Sequence, residues 1–217
     1  MYKTLLVTLV SVVSLTFSSC KKEDNNADSG QTTSNFFPLK VGNYWIYERF
    51  QLDTAGNATA LGIYDSCYIE KDTVINGNTC YILSAPGMNP GTQERSLYRD
   101  SAGLILNYDN RIWLNPYSDD DTLEAHYYYT PGTNDTVVSA ISIMDLTPIS
   151  TSTVAGNFNT INRKTTVTVW PISSFSPNPR YQHCRFADNV GIVTEILPFY
   201  TTSFTFTEKR LVRYHLN

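Results

Sequence analysis

From residue 44 onward, apolar and polar side chains alternate in short runs, and turn residues interrupt those runs about every 8 to 15 residues. The first run holds Trp45, Tyr47 and Arg49 on one face and Ile46, Glu48 and Phe50 on the other. Aromatic or aliphatic residues on both faces predict a strand covered on both sides, or one in a closed sheet. Asn76-Gly77 between segments 61–75 and 79–83 predicts a two-residue hairpin that pairs Thr73 with Cys80. Further strands are expected over 95–99, 104–107, 111–114, 123–130, 136–144, 147–154, 158–170, 181–186, 191–197, 200–207 and 210–215. No segment after residue 35 holds a helical period. The nearest, 136–146, is too rich in Val, Ile and Ser. The pattern predicts an all-β fold, a single curved antiparallel meander of about a dozen strands. An open barrel, a closed barrel and a sandwich all satisfy it.

The first residues follow a different pattern. Lys3 precedes an apolar run over 5–17, then Ser18, Ser19 and Cys20. The run is shorter than the roughly 20 residues that cross a bilayer, so 1–19 is expected to be a secretory signal ending at a lipidated cysteine. Acylation of Cys20 would tether the chain to a membrane it does not cross. Residues 20–35 carry no aliphatic side chain larger than Ala27 and are expected to form a disordered tether. Residues 36–217 then make a single β domain.

Composition narrows the partners. A formal net charge of −4 argues against nucleic acid, which needs a basic face. Apart from Cys20, the cysteines are Cys67, Cys80 and Cys184. In the hairpin register Cys67 lies roughly 20 Å along its strand from the residue opposite Cys80, too far for a disulfide. Cys80–Cys184, Cys67–Cys184 and three free buried thiols remain open.

Catalytic and cofactor motifs are absent. His126, His183 and His215 have no partner histidine at metal-ligand spacing, and no nucleophile elbow, phosphate-cradling loop or dinucleotide fingerprint occurs. His183 and Cys184 are adjacent on a strand and should face opposite ways. The acidic loop 115–121, with Asp119, Asp120 and Asp121, lacks the full calcium-binding pattern and reads as a solvated loop. No cofactor or metal is expected, and the balance leans away from an enzyme. The best candidates for ligand contact are Trp113, Tyr117, Tyr127 and Tyr129, aromatics flanked by polar residues that could stack on sugar rings. The ordinary alternative is that such tyrosines bridge core and water.

Phe37-Pro38-Leu39-x-x-Gly42-Asn43-x-Trp45-x-Tyr47 resembles a motif found just after the tether in a large, loosely defined group of Bacteroidetes lipoproteins. Thr153-Val154-Ala155-Gly156-Asn157-Phe158 and Phe186-Ala187-Asp188-Asn189-Val190-Gly191-Ile192-Val193 are similar to two later steps of that group. The resemblance implies an all-β lipoprotein domain, with the curved sheet of the lipoprotein carriers LolA and LolB or a lipocalin-like barrel. It carries no catalytic residues. In such signals Phe17 is a tolerated replacement for Leu. Lys21-Lys22-Glu23-Asp24 resembles the charged tracts that send such proteins to the outer face of the outer membrane, a periplasmic orientation being the alternative. The same resemblance implies O-glycosylation where Asp precedes Ser or Thr and a small or aliphatic residue: Thr54, Thr73, Ser101, Thr122 and Thr136. The function expected is a non-enzymatic envelope lipoprotein that binds an apolar or lipid-like ligand or a partner protein. The alternative is a surface glycan-binding module built on the aromatic residues.

Overall fold

The computed structural model describes residues 35–53, 55–87, 92–171, 178–197 and 206–217. The expected signal, Cys20, the tether up to residue 34, Thr54 and most of the expected strand 200–207 lie outside the described residues.

Alternation in the sequence becomes strand almost everywhere. The strands are β1 (Tyr44–Leu52), β2 (Ala58–Ile75), β3 (Asn78–Pro86), β4 (Gln93–Ser101), β5 (Leu104–Asn107) and β6 (Ile112–Leu114). They continue as β7 (Thr122–Tyr129), β8 (Thr136–Thr153), β9 (Gly156–Val169), β10 (Arg180–Ala187), β11 (Gly191–Leu197) and β12 (Phe206–His215). All belong to one 12-stranded antiparallel sheet, ordered β6-β5-β4-β3-β2-β1-β12-β11-β10-β9-β8-β7. Apart from β6 and β7, strands adjacent in sequence pair with one another, and the first strand pairs with the last. The sheet's two edges are β6 and β7, which follow one another in the chain and both pack on the same core. The meander is a nearly closed barrel, with no helix among the described residues.

Turn chemistry fixes the registers. Asn76 and Gly77 take φ of 50° and 79° and set Thr73 opposite Cys80, as expected from the sequence. Cys67, Cys80 and Cys184 are free and buried. The expected pair of strands 136–144 and 147–154 is one strand, β8, interrupted by an irregularity between Asp145 and Ile149. Pro148 has no N–H to give the ladder, so the chain bulges there. The displaced amides are satisfied locally: Thr147 N donates to Asp145 Oδ1 (3.1 Å) and Leu146 N to Asp119 Oδ1 (2.8 Å).

One end of the barrel is closed by the segment before β1. Phe37 enters the interior and meets Trp45 of β1 (6.0 Å between centroids), Tyr98 of β4 (5.5 Å), Trp113 of β6 (5.1 Å) and Phe186 of β10 (6.5 Å). Burying this side chain is worth about 3–5 kcal/mol against alanine. The first and last of the three motifs meet here. Trp45 Nε1 donates to Val190 O at 2.6 Å, Tyr47 OH to Ile192 O at 3.0 Å, and Asn189 N to Asn35 O at 2.8 Å. Gly191 has φ of 101°, and a Cβ on it would stand 3.1 Å from Trp45 Nε1. Phe158, from the middle motif, packs against the same cluster.

Candidate functional site

Because side chains alternate along each strand, every second residue of the barrel points inward. On β1 these are Trp45, Tyr47 and Arg49, and on β2 Asp65 and Cys67. Between them and the facing strands lies a cavity of about 290 Å³. Its floor is aromatic, made by Phe37, Trp45, Tyr98 and Trp113, and its upper wall is charged. Arg49 Nε is 2.8 Å from Asp65 Oδ2, and Lys209 Nζ is 2.5 Å from Glu195 Oε2.

These ion pairs shape the electrostatics. Burial works against the Lys209 charge, but Glu195 beside it, with Cys67 and Asp65, outweighs that and holds the amine protonated above its ordinary range. Burial pushes the Cys67 thiol up to about 11 and the Cys184 thiol well above its usual value. The Tyr47 and Tyr98 hydroxyls are raised by burial too, with Glu195 adding to the shift. Neither thiol is a nucleophile at neutral pH. Buried ion pairs rarely add stability over apolar side chains of the same size, so four charges in a barrel interior point to polar contents.

A second cavity of about 260 Å³ lies under β7 to β11. Glu124 is gripped there by His126 Nε2 (2.7 Å) and Arg163 Nη2 (2.9 Å). Glu195 lines both cavities.

The four aromatics singled out from the sequence do not form one patch. Trp113 points inward, its rings in contact with Phe37, Tyr98 and Phe186. Tyr117 is exposed and lies over Gly103, where a Cβ would meet its hydroxyl. Tyr127, Tyr128 and Tyr129 are all half exposed on the edge strand β7, and a bulge between Tyr128 and Tyr129 breaks the alternation that would set Tyr127 and Tyr129 on one face. Thr73, Ser101, Thr122 and Thr136 stand at or near strand ends, with Thr122 the most open. The acidic loop is structural as far as its contacts go. Asp119 caps Leu146, Asp121 takes the Ser118 hydroxyl, and Asp120 N donates to Met144 O at 2.9 Å. Among the described residues no group of His, Cys, Asp and Glu is arranged to hold a metal. His183 and Cys184 diverge. Cys184 packs in the core with Phe186, and His183 Nδ1 accepts from Asn162 Nδ2 at 3.0 Å.

Sequence reasoning missed Arg49, Asp65, Glu195 and Lys209. A signal was present for the first two. Arg49 shares the parity of Trp45 and Tyr47, and Asp65 that of Cys67 and Ile69, so each charge lies on the face that its apolar neighbours mark as buried. Glu195 has apolar neighbours on both faces of its strand, Val193 and Leu197 on one and Ile196 on the other, and Lys209 follows Thr207 and Glu208, so alternation marks no single inner face for either.

No family model matches the chain, and no curated protein matches it. Two solved structures are similar. One is from Bacteroides fragilis, described as an exported protein with a YmcC-like fold. It is 15% identical with a TM-score of 0.49, and the match covers 84% of this chain and 100% of that one. The other, described as a lipoprotein from Parabacteroides distasonis, is 13% identical with a TM-score of 0.48, over 84% and 99% of the two chains. Both are likenesses at identities too low to transfer a function.

Proposed function

We propose that this chain is a membrane-tethered envelope lipoprotein without catalytic chemistry, whose barrel interior holds a lipid-like ligand bearing a polar end. The observation that carries the reading is the cavity of about 290 Å³, with its aromatic floor and ion-paired wall. Ligand pockets start at about this size and combine apolar lining with a few fixed polar groups. A purely aliphatic ligand would leave Arg49, Asp65, Glu195 and Lys209 facing hydrocarbon, so the ligand is amphiphilic. The anchor is Cys20, with 1–19 removed as a signal and 20–35 as the tether, at the outer face of the outer membrane. Glycans on Thr54, Thr73, Ser101, Thr122 or Thr136 belong to the same proposal; an intact mass equal to the bare lipidated chain would remove them.

A fluorescent fatty-acid probe tests the ligand. It should bind with a change in tryptophan emission, and Trp113→Leu should weaken it several-fold. The second reading, glycan binding on the outer wall, draws on the half-exposed Tyr127 and Tyr129. Quenching by a polysaccharide without any probe binding would put that reading first.

A further inference from the structure

We infer that the cavity under β7 to β11 is the head-group half of the same ligand site, and that the head it takes is neutral and polyhydroxylated, as in an alkyl glycoside. This rests on the amphiphile reading above. Glu195 forms part of both cavities, so a ligand seated on the aromatic floor reaches the second compartment past that carboxylate. The two compartments differ in chemistry. The first offers Phe37, Trp45, Tyr98 and Trp113, whereas the second offers Glu124, Arg163, Ser142, Thr165 and Gln182.

Charge bookkeeping selects among polar heads. Glu124 is neutralised by Arg163, with His126 Nε2 at hydrogen-bond distance from its other oxygen, and Glu195 by Lys209. A phosphate or carboxylate head would have to displace a carboxylate from its cation, and an ammonium head would have to displace a cation from its carboxylate. A hydroxyl displaces neither. It donates to a free lone pair of a paired carboxylate and accepts from a remaining guanidinium N–H. Such an N–H is present, because Arg163 lines this compartment and its Nε is buried without a hydrogen-bond partner among the described residues. Beside it the Ser142 and Thr165 hydroxyls, buried and 2.8 Å apart, can each donate or accept. Adjacent ring hydroxyls of a sugar, each both donor and acceptor, match this alternation of fixed donors and acceptors.

The test is calorimetric titration of the chain carrying Cys20→Ala, which needs no detergent, with n-octyl β-D-glucoside below its micellar range, 1-octanol and methyl β-D-glucoside. The glucoside amphiphile should bind at least about tenfold tighter than octanol, as two or more added hydrogen bonds imply. Thr165→Val and Gln182→Met should each cut its affinity about three- to tenfold while leaving octanol within about twofold. Gln182→Met keeps the test alive if the buried Thr165 change disturbs folding. Equal affinity for octyl glucoside and octanol would overturn the head-group assignment and leave the apolar site standing. Methyl glucoside binding as tightly as octyl glucoside would overturn it too, since the aromatic floor would then contribute nothing. Failure of both octanol and octyl glucoside to bind would remove the amphiphile reading itself.

Discussion

Gly191 and Trp45 come from opposite ends of the domain and fit only because Gly191 lacks a side chain. With φ of 101° and a virtual Cβ 3.1 Å from the indole nitrogen, Gly191→Ala meets both backbone strain and a clash. We expect a loss of about 2 kcal/mol or more, read from urea denaturation midpoints. Trp45→Phe removes the donor to Val190 O and leaves a buried carbonyl unpaired, at a cost of about 1–3 kcal/mol. Titration supplies a second residue-scale expectation. Burial, and then Arg185 and Lys164, lower the His183 pKa below its ordinary 6.5, so the fold favours the neutral ring. The unfolded chain then takes up a proton first as pH falls, and stability drops from pH 7.5 down through the folded-state pKa. His183→Gln should flatten that slope in thermal melts between pH 7.5 and 5; an unchanged slope would assign it to other groups. The glycines and Trp45 were legible in the sequence, because turn residues and large aromatics have few places to go. Arg49 and Asp65 carry a signal in the parity of their buried neighbours, whereas Glu195 and Lys209 carry none, since a charge in such a strand reads equally well as solvent-facing.

At the scale of elements, the hairpin at Asn76-Gly77 followed from turn chemistry alone, and like the Ala102-Gly103 turn between β4 and β5 it has positive φ at each central residue. The β8 bulge did not. Pro148 reads as the gap between two strands, because alternation cannot distinguish a loop from a bulge that resumes the ladder. β2 also begins before the expected segment 61–75, at Ala58. Its first residues, Ala58 to Tyr64, are exposed on both faces and give no alternation to read. Asp119 ties the β6–β7 connection to the bulge through Leu146 N. Asp119→Ala should destabilise the barrel by about 0.5–1.5 kcal/mol. It should also speed amide exchange at Leu146 while leaving β1 and β12 protected. Uniform acceleration across the sheet would mean that the contact is not local.

Across the whole β domain the first strand pairs with the last, and that pairing has no local signature in the sequence. A dozen strands with turns between them suit a sandwich as well as a barrel. What distinguishes the barrel is Phe37 meeting rings from β1, β4, β6 and β10 at one point. At this scale the anchor is testable: Cys20→Ala should move the protein from the membrane fraction to the soluble one, and retention in the membrane would rule out lipidation as the tether. The interior site is tested most directly by the indole N–H signals of the chain's three tryptophans. Trp45 and Trp113 line the cavity, whereas Trp170 is on the surface. Titration with a medium-chain alcohol, followed by nitrogen–proton correlation NMR, should shift the Trp45 and Trp113 signals and leave Trp170 in place. Movement of Trp170 alone, or of none of the three, would contradict a ligand site inside the barrel.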